Sequence, residues 1–261
     1  MSWSLAGRQL TSRLCLGSVH YPSIAILKDA VIASKAEVVT VSLRRETSVT
    51  KGENSFFEFV KTLNCHILPN TAGCRLASEA IAMAEMARQI FQTNWIKLEV
   101  IGDDYTLQPD SFGLVEASKV LIQKGFEVFP YCTDDLILCQ RLVDCGCRIL
   151  MPGAAPIGSG KGLLNPYNLA LLRARLPNIT LLVDAGIGKP SHAVQVMELG
   201  FDGVLLNTAI ALAGNPVQMA SAFRDAIIAG RAAFEAVTIL ERNTAQPSTS
   251  LIDTPFWQHL S

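Results

Sequence analysis

Lys97 and Glu99 are separated by a single residue within the apolar run at residues 95–101. Side chains at positions i and i+2 of a β-strand point to the same face, so a strand here would direct both charges into one interior. Buried ions of this kind are costly unless they are paired or used. The pattern suggests an amine that attacks a carbonyl, with a carboxylate beside it to move protons. The plainer interpretation is an ion pair on the solvated face of an edge strand.

Burial should also change the pKa of Lys97. An ammonium group surrounded by apolar side chains loses solvation, which lowers its pKa and frees the nucleophilic amine. We therefore expect the pKa of Lys97 to lie below the ordinary value.

The composition narrows the classes of partner. With 261 residues and 49% hydrophobic content, the chain can bury a large core. Its net charge of -1 argues against nucleic acid or an anionic membrane surface as the main partner. The seven cysteines lack paired spacing, as expected of reduced thiols.

Neither the first residues nor the uncharged run at residues 203–223 predicts a membrane protein. The first residues lack a continuous apolar segment with a cleavage pattern, so we expect a cytoplasmic protein, or a stromal one if it is plastid-encoded. Residues 203–223 carry no charge, but Asn207, Gly214 and Pro216 divide them into a strand, a turn and a helix start.

Short apolar runs alternate with helical patterns along the chain. Strands are predicted at residues 13–18, 37–43, 66–70, 95–101, 127–131, 148–152, 180–184 and 203–207, each followed by a helix. Thr133 should cap one helix, and Gly230 should end the last. Such alternation means parallel strands with right-handed crossovers, and eight units predict an α/β fold, the (β/α)8 TIM barrel. We assign residues 1–240 to the barrel and residues 241–261 to a mobile C-terminal tail.

Polar residues gather where the predicted strands end. Lys97 and Glu99 lie on strand four, Asp184 closes strand seven and Asn207 closes strand eight. Active sites of these barrels lie at the carboxyl ends of the strands. We therefore expect these side chains to share one site, with Glu99 and Asp184 as candidates for proton transfer.

Three loops follow the late strands, at residues 155–160, 185–188 and 207–209, and the first two contain glycines. Backbone N–H groups after late strands commonly hold a phosphate in this fold, and glycine permits close approach. Each glycine alone could equally serve a tight turn. Together the loops predict a phosphate site, from which a bound sugar phosphate would extend its carbonyl to Lys97.

Other motifs do not support alternative ligands. The Gly158–Gly162 segment lacks the first glycine and the Ser or Thr of a nucleotide-binding P-loop. The loop at residues 185–188 lacks the spacing of a dinucleotide fingerprint. The four histidines show no metal spacing, so we expect neither a metal nor an organic cofactor.

Five motifs resemble bacterial and plastid thiazole synthase of thiamine biosynthesis. They are Leu68-Pro-Asn-Thr-Ala-Gly73, Asn94-Trp-Ile-Lys-Leu-Glu-Val-Ile-Gly102, Ala155-Pro-Ile-Gly-Ser-Gly160, Val183-Asp-Ala-Gly-Ile-Gly188 and Leu206-Asn-Thr-Ala-Ile210. The resemblance implies a barrel that condenses three substrates into the thiazole phosphate. These are 1-deoxy-D-xylulose 5-phosphate, dehydroglycine and the thiocarboxylate of a small ubiquitin-like sulfur-carrier protein.

The same resemblance implies a role for each matching residue. Lys97 would form the imine with the ketose phosphate, and Glu99 and Asp184 would act as acid and base. The substrate and its phosphate would be held by Gly158, Ala185, Gly186, Asn207 and Thr208. A homo-oligomer that also binds the sulfur carrier is implied as well.

Two other functions remain as alternatives for this sequence. An imine-forming aldolase or isomerase of a sugar phosphate would need the lysine and the phosphate site without sulfur. A barrel that only scaffolds partners would need neither. Sulfur transfer follows from the resemblance and not from the spacing of residues.

Overall fold

A closed barrel of parallel strands dominates the computed structural model of the chain, which describes residues 2–43 and 54–246. In chain order the strands are β1 (Trp3–Leu5), β2 (Arg8–Leu10), β3 (Leu14–Gly17), β4 (Val38–Ser42), β5 (His66–Asn70), β6 (Trp95–Leu98), β7 (Glu127–Cys132), β8 (Ile149–Pro152), β9 (Thr180–Asp184) and β10 (Gly203–Leu206). The barrel order is β10-β3-β4-β5-β6-β7-β8-β9, and every pairing in it is parallel. The predicted (β/α)8 barrel is confirmed.

Helices connect the barrel strands on the outside. They are α1 (Ile24–Ser34), α2 (Asn54–Thr62), α3 (Ala77–Phe91), α4 (Ser111–Gln123), α5 (Leu136–Asp144), α6 (Pro166–Arg175), α7 (Pro190–Glu198), α8 (Thr208–Ala211) and α9 (Pro216–Ala236). Side chains of Asp110, Asn165 and Asn215 accept hydrogen bonds from the first turns of α4, α6 and α9. These caps satisfy N–H groups that have no partner inside the helix.

Alternate residues of each barrel strand face two different cores. Val39, Ile96 and Val183 pack with the helices in the outer core. Val38 and Trp95 instead point into the barrel with the inner core. This period of two places Thr40, Ser42 and Lys97 on the inner side as well, so the upper end of a buried barrel is lined by polar groups.

The hairpin of β1 and β2 closes the lower end of the barrel. Its antiparallel strands bring Trp3, Leu5 and Leu10 into the inner core. The indole of Trp3 donates to the carbonyl of Ser12 at 3.0 Å. Our sequence analysis missed this hairpin because each strand has only three residues. An alternation of apolar and polar side chains cannot be recognised over so short a segment.

Some predicted element ends were wrong. The fourth barrel strand ends at Leu98 and not at residue 101, because Ile101 turns away to bridge Pro109. Asp135, and not Thr133, caps α5 by accepting from the N–H of Leu138 at 2.6 Å. A predicted stop at Gly230 fails because α9 continues to Ala236, with Gly230 buried inside it.

The predicted tail at residues 241–261 falls mostly outside the described residues, which end at 246. Within the described part of the chain, no helix combines the length and the apolar character needed to cross a bilayer.

Gly230 allows α9 to pack closely against α7. A Cβ built there would lie 2.7 Å from the carbonyl oxygen of Val194 and 2.9 Å from Cβ of Met197. Gly230→Ala should therefore lower the free energy of unfolding by about 1–3 kcal/mol through overpacking, despite the better helix propensity of alanine. Denaturant unfolding would measure this. Gly214→Ala is the control, since its Cβ meets nothing within 4 Å; equal effects would contradict the packing argument.

Candidate active site

A cavity of about 530 Å³ opens at the carboxyl ends of the barrel strands. All eight residues predicted for the site line it: Lys97, Glu99, Gly158, Asp184, Ala185, Gly186, Asn207 and Thr208. Residues more than 100 positions apart in the sequence therefore meet in one place, as parallel strands with a common direction require.

Lys97 lies in this cavity between two carboxylates. Its ammonium nitrogen is 2.6 Å from Oε1 of Glu99 and 2.6 Å from Oδ2 of Asp184. The three residues are 5–6% exposed, so these charges have little contact with bulk water. The predicted common interior for Lys97 and Glu99 is confirmed, and the alternative of a pair on a solvated face is excluded.

The prediction of a lowered pKa for Lys97 was wrong. Burial does act to lower the pKa, but the negative charges of Asp184 and Glu99 together outweigh it and raise the pKa above the ordinary lysine value. Burial also raises the pKa of Asp184, while the charge of Lys97 opposes that rise. The resting site is thus an ion cluster with a charged ammonium and not a free amine.

Thr71 fixes the segment that carries the two charges. Its N–H donates to the carbonyl of Lys97 at 3.1 Å, and its hydroxyl donates to the carbonyl of Glu99 at 2.8 Å. The N–H of Glu99 donates to the same hydroxyl at 2.8 Å. Glu99 follows the end of β6, so this clamp replaces the missing strand bonds and keeps its side chain in the cavity.

Tyr131 and Cys15 surround the cluster from within the barrel. The ring centroid of Tyr131 lies 5.5 Å from the nitrogen of Lys97, close enough for a cation–π contact. Burial, with the nearby charge of Asp184, raises the pKa of Cys15 to about 12. Sequence reasoning missed both residues, although the period of two from Phe129 on β7 indicates an inward Tyr131.

The loops after β8 and β9 pack backbone against backbone. A Cβ on Gly186 would collide with the N–H nitrogen of Ala155, and one on Gly188 would collide with the carbonyl oxygen of Gly160. Ala185 has a φ of 73°, a left-handed conformation that is unusual for any residue except glycine. Such strain persists where the surroundings enforce it, often at binding sites.

Asn207 lies at the end of β10, the barrel neighbour of β9, and also lines the cavity. Its side-chain oxygen accepts from the N–H of Val19 at 3.2 Å, which joins the end of β10 to the loop after β3. A Cβ on Gly17 would lie 2.5 Å from Cβ of Asn207, so glycine is needed at this point for the two strands to meet.

Several N–H groups around these loops have no protein acceptor. Among the described residues, none accepts from the N–H of Gly186, Thr208 or Ala209. All three residues line the cavity. Preorganised N–H groups of this kind suit an anion.

Metal ligands are not grouped in the described residues. No cluster of three or more His, Cys, Asp and Glu side chains there has an arrangement that could hold a metal ion.

The fold and the cavity define a class of (β/α)8 barrels with a buried lysine between two carboxylates and glycine-containing loops around the cavity. The family model described as "Thiazole biosynthesis protein ThiG" matches residues 4–250. The chain belongs to this family, the thiazole synthases of thiamine biosynthesis.

Individual relatives agree with the family match. Thiazole synthase of Coxiella burnetii (strain Dugway 5J108-111) is 58% identical over 254 residues, covering 97% of this chain and 98% of that protein. Thiazole synthase of Bradyrhizobium sp. (strain ORS 278) is also 58% identical over 254 residues, with the same coverage. The solved complex of Amycolatopsis orientalis BexX with CysO has a TM-score of 0.82 and 29% identity, covering 92% of this chain and 98% of that chain.

Asp184→Asn should lower the pKa of Lys97, because burial would then be opposed by Glu99 alone. The free amine would appear at lower pH, by about one to three pH units. Reductive methylation with formaldehyde across a pH series, read by mass spectrometry of the Lys97 peptide, measures the shift.

Asp202→Asn is the matched control for this pH series. Asp202 pairs with Arg173 at 3.1 Å and does not line the cavity, so its loss should leave the Lys97 profile unchanged. An unshifted profile in Asp184→Asn would contradict the role given to the second carboxylate.

Proposed function

We propose that this enzyme condenses 1-deoxy-D-xylulose 5-phosphate, dehydroglycine and the thiocarboxylate of a small sulfur-carrier protein into the thiazole phosphate. The ketose phosphate would be held as an imine on Lys97, and transfer of sulfur from the carrier thiocarboxylate would make the enzyme a transferase. The observation that carries the proposal is the buried amine between two carboxylates in the cavity lined by the glycine loops.

Imine formation needs a neutral amine, and the carboxylates supply a route to it. Lys97 passes one proton to Asp184 or Glu99, each 2.6 Å away. The amine then adds to the ketone carbon, and the nitrogen passes a second proton to the former carbonyl oxygen through the other carboxylate. The protonated carboxyl group donates the remaining proton to that oxygen, which leaves as water and yields the iminium. The raised pKa of Asp184, which burial causes, favours this proton transfer.

The iminium that results acidifies the neighbouring C–H bonds. Either carboxylate can then remove a proton from the adjacent carbon and return it later, as general base and general acid. Two carboxylates on different sides of one nitrogen allow proton removal and proton delivery to occur at separate positions. Clamping by Thr71 supports this role for Glu99, because it holds the carboxylate in position before substrate arrives.

The phosphate would occupy the far side of the cavity. Unpartnered N–H groups of Gly186, Thr208 and Ala209 support binding of an anion there, together with the strained Ala185 and the lining residues Gly158 and Asn207. The described cationic residues lining the cavity are Lys97 and Arg75, and Arg75 forms an ion pair with Asp104 at the rim. Neutral donors, chiefly backbone N–H groups, would therefore hold the phosphate.

Protein partners complete the proposal. The BexX structure was solved as a complex with CysO, which supports a protein partner for this related barrel. Tyr105, Phe112 and Tyr167 expose 72–95% of their surface on segments that follow β6 and β8, and such side chains favour protein contacts. We also propose that the enzyme is a homo-oligomer.

Borohydride reduction in the presence of 1-deoxy-D-xylulose 5-phosphate should fix the mass of the ketose on Lys97. Lys97→Arg keeps the positive charge between the carboxylates but cannot form the imine, so trapping and turnover should both be lost. Peptide mass spectrometry locates the adduct. Lys124→Arg, on the outer surface, is the control. An adduct on another lysine would refute the assignment.

The same incubation distinguishes thiazole synthesis from the aldolase alternative. Adding the carrier thiocarboxylate should place sulfur in the product. Carbon–carbon cleavage of the ketose without sulfur incorporation would instead favour a Schiff-base aldolase.

Gly186→Ala should raise KM for the ketose phosphate about tenfold or more, because the new Cβ would displace the loop from Ala155 and disturb the anion site. Steady-state kinetics would measure it. Gly7→Ala is a matched control: φ is 77° at Gly7 and 81° at Gly186, but nothing lies within 4 Å of the Gly7 Cβ position. Similar KM values for both variants would contradict the proposed anion site.

A further inference from the structure

Ser42 and Asn70 form a polar wall beside the reactive lysine. Ser42 on β4 is the register partner of Asn70 on β5, and Asn70 is the register partner of Lys97 on β6. Register partners of parallel strands point to the same side of a sheet, so the three side chains form a row on the inner face. All three residues line the cavity.

The hydroxyl of Ser42 is buried without a protein partner. The residue is 2% exposed, and Oγ forms no hydrogen bond with any of the described residues. A buried polar group without a partner costs folding free energy, so its presence in a cavity indicates a ligand group that completes it.

Asn70 is already oriented to offer donors. Its side-chain oxygen accepts from the N–H of Ala72 at 3.2 Å, which fixes the plane of the amide. Across residues 2–43 and 54–246, no acceptor takes a hydrogen bond from its NH2 group. The wall therefore combines two amide N–H donors with a hydroxyl that can both donate and accept.

Charge decides which ligand group suits this wall. Lys97, Glu99 and Asp184 together carry a formal charge of minus one when ionised, and the nearest rim cation, Arg75, is paired with Asp104. A second anion beside this cluster would be repelled. A neutral hydroxyl can instead accept from Asn70 and exchange a hydrogen bond with Ser42 at no electrostatic cost.

We propose that Ser42 and Asn70 form a hydroxyl subsite, which binds a secondary hydroxyl of the open-chain ketose phosphate beside the carbon held by Lys97. The subsite makes the enzyme select a hydroxylated chain over a deoxygenated ketone phosphate of equal length. This inference rests on the proposed function, because it takes the ketose imine on Lys97 as given. No covalent step is involved, and both residues are specificity determinants.

Two ketones of equal length test the hydroxyl subsite in the full-length protein. One is 1-deoxy-D-xylulose 5-phosphate. The other is 5-hydroxypentan-2-one 5-phosphate, which keeps the methyl ketone and the phosphate but lacks both secondary hydroxyls. The measured quantity is the second-order rate constant for borohydride trapping on Lys97. Using the ratio of the two constants cancels the different intrinsic reactivity of the ketones when variants are compared.

Ser42→Ala should lower the trapping constant for the hydroxylated ketose about tenfold and leave that for the deoxygenated ketone unchanged. Asn70→Ala should do the same and provides an independent measurement. Ser118→Ala is the control, since Ser118 on α4 is also a fully buried serine but lies outside the cavity. Its ratio should equal that of the wild type.

Thermal melting separates binding from folding. Because Ser42 Oγ has no protein partner to lose, Ser42→Ala should not lower Tm. Equal loss of trapping for both ketones, or an unchanged ratio in both variants, would overturn the hydroxyl subsite while leaving the imine intact. Failure of the wild type to trap either ketone would overturn the proposed function itself.

Discussion

The ion cluster of Lys97, Glu99 and Asp184 is the constraint on which the rest of the structure depends. Three ionisable groups at 5–6% exposure are tolerated only because each charge has an opposite charge 2.6 Å away. Removing one partner would leave an uncompensated buried charge. The barrel must therefore hold β6 and β9 in fixed positions around the lysine. The same rigidity keeps the three side chains in place for catalysis.

Barrel closure provides this rigidity from below and from outside. The hairpin places Trp3, Leu5 and Leu10 under the inner core, so the lower half of the barrel is solid hydrocarbon. The buried polar side chains Thr40, Ser42, Lys97, Glu99 and Asp184 lie in the upper half, where the strands end and the loops begin. This division lets a buried site exist without weakening the core that positions it.

The cluster also changes how nucleophilicity is obtained. A lysine in a purely apolar pocket would lose its proton at rest, whereas here two carboxylates keep the amine protonated. Proton transfer within the cluster can generate the amine when a carbonyl arrives, and the same proton is then available for the departing water. Proton transfer within one ion cluster thus yields both the nucleophilic amine of Lys97 and the carboxylic acid that protonates the leaving oxygen.

The sequence alone determined the barrel, because periods of two and 3.6 are local signals. His66–Asn70 and Thr180–Asp184 were predicted at their observed bounds. The sequence also predicted that Lys97 and Glu99 point to one face, since the relation between positions i and i+2 of a strand is local. Only the tertiary structure decided the sign of the lysine pKa shift, because Asp184 approaches from a strand 87 positions later, three strands away in barrel order. Local patterns specify which way a side chain points, but charge compensation depends on distances across the barrel, which closure alone creates.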